Sequence, residues 1–231
     1  GRVYSADVLA TTITDVDFNI IENAYEWDSM QVANVYRFYR GYLPKAIIES
    51  IIKLYEDKTV LKDVEGKEVE YVISKGMLNS VYGMCVTDIV RDDIIYIDDW
   101  GKELADPTEQ IEKYNKSRSR FLYYPWGIWV TAYARRNLWM GIIAMKDDYI
   151  YSDTDSVKFT NYHKYKDFIE RYNVNVLKKV ENMCEHYNLD FKRLSPKTKD
   201  GVVKPIGIWD FDGHYKRFKT LGAKRYLVEY D

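Results

Sequence analysis

Cysteine is scarce in this chain. Cys85 and Cys184 are the two present in 231 residues, and they stand far apart. That excludes a disulfide framework and agrees with a reducing cytosol. A basic surplus is also missing: 34 Lys and Arg are set against 36 Asp and Glu, for a formal net charge of -2. A free-standing nucleic-acid binder would carry an excess of cations. Any contact with a polyanion must therefore come from cations gathered on one face. No apolar run is long enough to span a bilayer, and neither a signal peptide nor a lipidation motif is visible. Internal repeats and low-complexity stretches are lacking too. His163, His186 and His214 show no metal-ligand spacing. His186 beside Cys184 falls short of the four ligands of a structural zinc site. An initiator methionine is lacking as well. The chain opens at Gly1 and stops at Asp231 inside a strand-like run, so both ends are expected to be cuts in a longer polypeptide.

What is present is apolar and aromatic. Hydrophobic residues make up 46% and aromatics 16%, with 22 Tyr and 6 Trp. This is enough to bury a sizeable core in one large domain or two small ones, and it argues against disorder. Residues 11–26 read as a short helix, with Thr14 and Asp17 spaced as a capping box. Residues 31–39 alternate like a strand. Pro44 opens a helical stretch running to about Asp63. A turn at Gly66 leads to a second helix from Glu68 to Tyr82, ended by Gly83, so that the two helices form a hairpin. Residues 86–122 are polar and irregular with one helix, as in a surface insertion. A long aromatic helix covers 126–145, two strands flank a tight turn within 147–159, and another helix spans about 163–187. Two or three antiparallel strands are expected between Ile206 and Tyr230. The pattern as a whole is α+β.

The tight turn, Tyr151-Ser-Asp153-Thr-Asp155-Ser156, is the sharpest feature. Tyr149, Ile150 and Tyr151 precede it, and Val157 and Phe159 follow with alternate residues apolar. The hairpin presents Asp153 and Asp155 at its tip. Carboxylate oxygens are the preferred ligands of Mg²⁺, and two such ions about 4 Å apart can clamp the attacking and leaving oxygens of phosphoryl transfer. Read alone, the same residues make an ordinary solvated turn, since Asp and Ser favour turns.

Elsewhere spacing groups cations with aromatics. On a helix, Lys75, Asn79 and Tyr82 lie on one stripe. An ammonium can hold a triphosphate as a point charge, and a tyrosine can stack on a base or sugar. Lys58 and Lys62 are four apart on the preceding helix. Without the stripe they would be a solvated helix face, for lysine is mostly a surface residue. Lys224 and Tyr226 alternate on a strand and suit a phosphate and a sugar edge; the other reading is a plain sheet surface. For Arg135 and Arg136, contact with DNA and a helix-surface role are equally open.

Two of these stretches resemble motifs of the family B DNA polymerases. The turn at 151–156 is similar to the Tyr-x-Asp-Thr-Asp-Ser motif of that family. Lys75-Gly-Met-Leu-Asn79-Ser80-Val-Tyr82-Gly83 is similar to its Lys-x-x-x-Asn-Ser-x-Tyr-Gly motif. Residues 58–62 resemble the basic pair on the first fingers helix, 130–136 the helix before the acidic motif, and Lys224-Arg225-Tyr226 the Lys-x-Tyr motif. The likeness extends from about Thr14 to Tyr230 and is nearest to the protein-primed phage branch. It implies a palm-type antiparallel sheet with packed helices plus a two-helix fingers hairpin. The implied domains are palm at 1–43, fingers at 44–84, an insertion like the terminal-protein region at 85–123, and palm again at 124–231. Asp153 and Asp155 would be catalytic and hold Mg²⁺, with Mn²⁺ as a substitute. Lys58, Lys62, Lys75, Asn79 and Tyr82 would contact the incoming dNTP. Ser80, Gly83, Thr154, Ser156, Lys224 and Tyr226 would line the DNA primer-template, and a terminal protein could supply a priming hydroxyl. The location implied is the cytoplasm of a bacterial host.

One element of that family pattern is not found, the strand Asp-x-x-Ser-Leu-Tyr-Pro that brings a third carboxylate. Asp7 is followed by nothing like it. The exonuclease and thumb segments are not found either, so the chain is expected to polymerise poorly or not at all alone. The competing readings are a noncatalytic or split polymerase module needing a partner chain, a metal-dependent cyclase or nuclease with a palm-like sheet, and a structural α+β domain with an incidental acidic turn.

Overall fold

A computed structural model describes residues 3–230. The first helix, α1 (Asp15–Ala24), begins as its cap dictates. Thr14 Oγ1 accepts the Asp17 N–H at 3.1 Å, and the Asp17 carboxylate takes the Thr14 hydroxyl at 2.9 Å and its N–H at 3.4 Å. Two donors at the helix start are satisfied reciprocally. Residues 31–39 do not form the expected strand. They pair with no other segment among the described residues and stay exposed, and Asn34, at φ 54°, breaks the extended path that alternation requires.

Helices α2 (Lys45–Val60) and α3 (Glu68–Cys85) pack on one another through a loop that reverses at Asp63 (φ 59°) and Gly66 (φ 75°). Two boundaries move. Because α2 ends at Val60, Lys62 sits in the loop and not on the helix with Lys58. The second helix runs through Gly83, whose carbonyl accepts the Val86 N–H at 3.2 Å. Gly83 is not among the residues with positive φ, so it does not stop the helix as the pattern suggested.

A core of Ile48 and Ile52 from α2 with Cys184 and Leu194 fastens α2 to later chain. The Tyr187 hydroxyl donates to the Leu43 carbonyl at 2.9 Å, that of Tyr55 to the Lys204 carbonyl at 3.0 Å, and Arg193 forks onto Glu56 at 2.6 Å. These polar ties surround the apolar contact.

The stretch from 86 to 122 is more regular than its composition suggests. Strands β1 (Asp93–Ile97) and β2 (Asp99–Glu103) form a hairpin around Asp98 at φ 65°. It escaped the sequence pattern because almost all of its residues are exposed, so no buried face imposes alternation. Helix α4 (Pro107–Lys116) follows, capped by Asp106, which accepts the Thr108 N–H at 2.8 Å.

Helix α5 (Tyr124–Met145) is the spine of the molecule. Its first turns press Gly127 against Val86 and Cys85, and its last turns press Gly141 against Val157 and Trp209. Midway, Arg135 grips Asp17 of α1 at 2.7 and 2.9 Å. Strands β3 (Tyr149–Asp153) and β4 (Ser156–Phe159) follow, then α6 (Tyr162–Tyr187). The tail forms one hairpin, β5 (Arg217–Gly222) with β6 (Arg225–Glu229). Residues 206–216 add no strand. At Trp209 the Asn173 side chain takes the N–H at 2.8 Å and donates to the carbonyl at 2.9 Å, which satisfies that peptide without a ladder. The six strands therefore pair as three two-stranded antiparallel sheets among the described residues. None of the described helices is long and apolar enough to cross a membrane.

Candidate functional site: the acidic turn and its facing hairpin

Alternation along β3 places Tyr151 and Asp153 on one face. Both reach the turn of the β5–β6 hairpin and hold the same residue there. The Tyr151 hydroxyl accepts the backbone N–H of Lys224 at 2.9 Å, and both Asp153 oxygens accept from Lys224 Nζ, at 2.9 and 3.1 Å. Hydrogen bonding to Lys224 holds the Asp153 carboxyl below its ordinary range, and the same contact raises the Lys224 ammonium. Behind this pair lies an aromatic pile. The ring of Tyr151 is 5.6 Å from those of Phe218 and Tyr226, and the latter two stack at 5.2 Å.

Both turns are bent by residues with left-handed backbone, Thr154 at φ 51° and Lys224 at φ 58°. A β-branched threonine adopts that conformation at a cost. Its hydroxyl offsets some of it by donating to Asp153 at 3.0 Å, while the Ser156 hydroxyl donates to the Asp153 carbonyl at 3.3 Å. Asp155, beyond the bend, is exposed and accepts no hydrogen bond among the described residues; its charge is felt by Lys224. Alternation in the sequence sets Lys224 and Tyr226 on one strand. The structure puts Lys224 in the turn and begins the strand at Arg225, because Gly222 at φ 128° and Lys224 make the reversal.

Lys158 of β4 supplies a second tether, unnoticed in the sequence. Burial pulls its ammonium down, but hydrogen bonds to Asp212 at 2.8 Å and Tyr215 at 3.3 Å outweigh this and raise it. At the base of the hairpin Asp148 accepts from Tyr165, Lys164, Asn161 and Thr160, and these bonds hold it well below the carboxylate range.

The residues expected on α3 are exposed, Lys75, Asn79 and Tyr82 along one stripe and Ser80 well round the helix from them. Lys75 Nζ lies 5.8 Å over the Tyr71 ring, and the Ser80 hydroxyl bonds back to the Gly76 carbonyl at 2.8 Å. Lys58, half-buried on α2, lies 5.7 Å from the Tyr55 ring. The Arg135 guanidinium is spent on Asp17, and Arg136 folds over Tyr133 at 4.7 Å. Among the described residues no hydrogen bond or ion pair joins the α3 stripe to the acidic turn. His163 and His186 pack in ring contacts with Tyr162 and with Tyr42 and Tyr187.

As a cation site the turn offers a partial donor set. No group of three His, Cys, Asp or Glu side chains is gathered among the described residues. Mg²⁺ is commonly bound through one or two carboxylates with water and substrate phosphates. Asp155 fits such a role; Asp153 would first have to release Lys224.

The proteins that this chain resembles are DNA polymerases. Those of Bacillus phage Nf and Bacillus phage M2 are each 26% identical to it in an alignment 228 positions long that covers 94% of this chain. The chain spans 31% of the length of those relatives. No family model and no solved structure matches it.

Proposed function

We propose that the chain is the part of a family B, protein-primed type DNA polymerase that carries the nucleotide-contact helix and the acidic turn. The observation that supports this best is the Lys224–Asp153 pair. It brings together two stretches 71 residues apart, each similar on its own to a polymerase motif. In this reading α2 and α3 are the fingers, the β3–β4 and β5–β6 hairpins with α5 and α6 belong to the palm, and residues 86–122 are an insertion.

The reaction would join a dNTP to the 3′-hydroxyl of a primer, or to a hydroxyl of a terminal protein, along a DNA template. Lys75, with Lys58, neutralises the triphosphate. Lys62, on the loop beyond α2, can reach it only from that loop. Asn79 orients the nucleotide and Tyr82 walls its sugar or base. Gly83 and Ser80 leave room for a strand beside α3. Lys224 and Tyr226 face the primer, a cation and an aromatic for phosphate and sugar. Thr154 and Ser156 shape the turn that presents Asp155. Asp155 would hold Mg²⁺ or Mn²⁺, which would supply positive charge against the negative charge that develops on the transferred phosphoryl group.

A second reading, a module that works only with a partner chain, is favoured by the partial donor set. Primer extension shows whether the chain works without one. Incubated with primer-template, dNTPs and Mg²⁺ or Mn²⁺, the chain is expected to extend poorly, while a Lys75→Ala variant loses affinity for a fluorescent dNTP. Robust extension that Asp155→Ala abolishes would show the chain to be self-sufficient. Unchanged dNTP binding by Lys75→Ala would turn the assignment toward a metal-dependent nuclease or cyclase.

A further inference from the structure

We propose that the two aspartates of the turn have divided tasks, with Asp153 serving as a positioning residue that aims Lys224 at a nucleic-acid phosphate. This rests on the polymerase reading above. Lys224 is gripped at two points from one strand, its backbone by the Tyr151 hydroxyl and its ammonium by both oxygens of Asp153. Its backbone is bent into the left-handed region, φ 58°, a conformation that lysine takes reluctantly. The aromatic pile of Tyr151, Phe218 and Tyr226 fixes the two hairpins against each other just behind the grip.

Such a pair does little for stability, because the lysine side chain is 73% exposed and its partner 30%, and exposed ion pairs are screened and entropically costly. What the grip does is restrict a long, mobile side chain to one direction. Three N–H donors belong to an ammonium; two are accounted for by the Asp153 oxygens, and with most of the side chain open to water the third can meet an anion. The neighbouring exposed tyrosine, Tyr226, offers an aromatic edge, so a phosphodiester next to a sugar fits this position better than a free phosphate. Asp155 makes no hydrogen bond to Lys224, although its charge reaches the ammonium.

The sign of one substitution tests the idea. Removing a carboxylate beside a polyanion ordinarily strengthens binding. If Asp153 aims Lys224, Asp153→Asn must weaken it. Binding of a fluorescent primer-template to the chain is measured by anisotropy in EDTA, where no divalent ion contributes. Asp153→Asn and Lys224→Met are each expected to weaken binding about two- to five-fold. The double variant should be no worse than either, and Asp153→Glu should recover part of the loss. Lys224→Met should also lower the slope of log affinity against log salt by about one. Asp155→Asn should bind as well as the wild type or better. Weakening by Lys224→Met with none by Asp153→Asn overturns the positioning role and leaves the polymerase reading standing. A wild-type chain that does not bind the primer-template overturns both.

Discussion

At the scale of single residues, the charges here are spent mostly on holding elements in place. Asp17 shows it best. Burial alone would raise its carboxyl, but bonds from Arg135 and Thr14 outweigh that and leave it below the ordinary value. A carboxyl depressed in the folded state stabilises the fold above its unfolded pKa, near 3.9, and loses that contribution as pH falls through the folded value. Urea unfolding is therefore expected to show lower stability at pH 3 than at pH 6, with part of the difference abolished in Asp17→Asn. Arg135→Met should cost about 1–2 kcal/mol, because it leaves a largely buried carboxylate without its charged partner; unfolding midpoints measure this. Arg135 had two open readings in the sequence, and its partner lies 118 residues away, beyond the reach of any local pattern.

Elements in this protein meet through small residues. α5 passes the end of α3 at Gly127, where an added Cβ would overlap Val86 Cγ1, and passes β4 at Gly141, where it would meet Trp209 at 3.3 Å and Val157 at 3.4 Å. Gly127→Ala forces one element to shift and is expected to destabilise by about 1–3 kcal/mol, visible as a lowered thermal midpoint. Gly141→Ala should cost less at equilibrium. It pushes directly on the strand that carries the acidic turn, so its effect on primer-template binding should exceed its effect on stability. A Gly141→Ala chain that binds like wild type would show that β4 is free to move against α5.

For the molecule as a whole, the β3–β4 and β5–β6 hairpins are joined by side chains and not by a continuous ladder. Tyr151, Lys158 and Asp153 reach from β3 and β4 to Tyr226, Asp212 and Lys224. The described residues gather no three-ligand cation site. Tight divalent binding, read by Mn²⁺ titration, should be absent in the chain alone and should emerge when a longer polypeptide adds a third carboxylate. Micromolar Mn²⁺ binding by the 231 residues, lost in Asp155→Asn, would contradict it.

The sequence by itself determined most of the helices and the position of the acidic turn. Thr14 and Asp17 start α1, Gly66 reverses the chain, and Asp153 and Asp155 flank a bend, each through contacts with near neighbours. The Lys75–Asn79–Tyr82 stripe follows from helical periodicity in the same way. Tertiary structure decided what periodicity cannot carry. The apolar alternation of 31–39 found no strand to pair with among the described residues, and Phe38 packs on Trp129 of α5 instead. The β1–β2 hairpin left no pattern because neither face is buried, and Trp209 took its hydrogen bonds from Asn173 in place of a ladder. It also decided that Lys224 lies in a turn and meets Asp153, for that depends on how two distant hairpins pack against one aromatic pile.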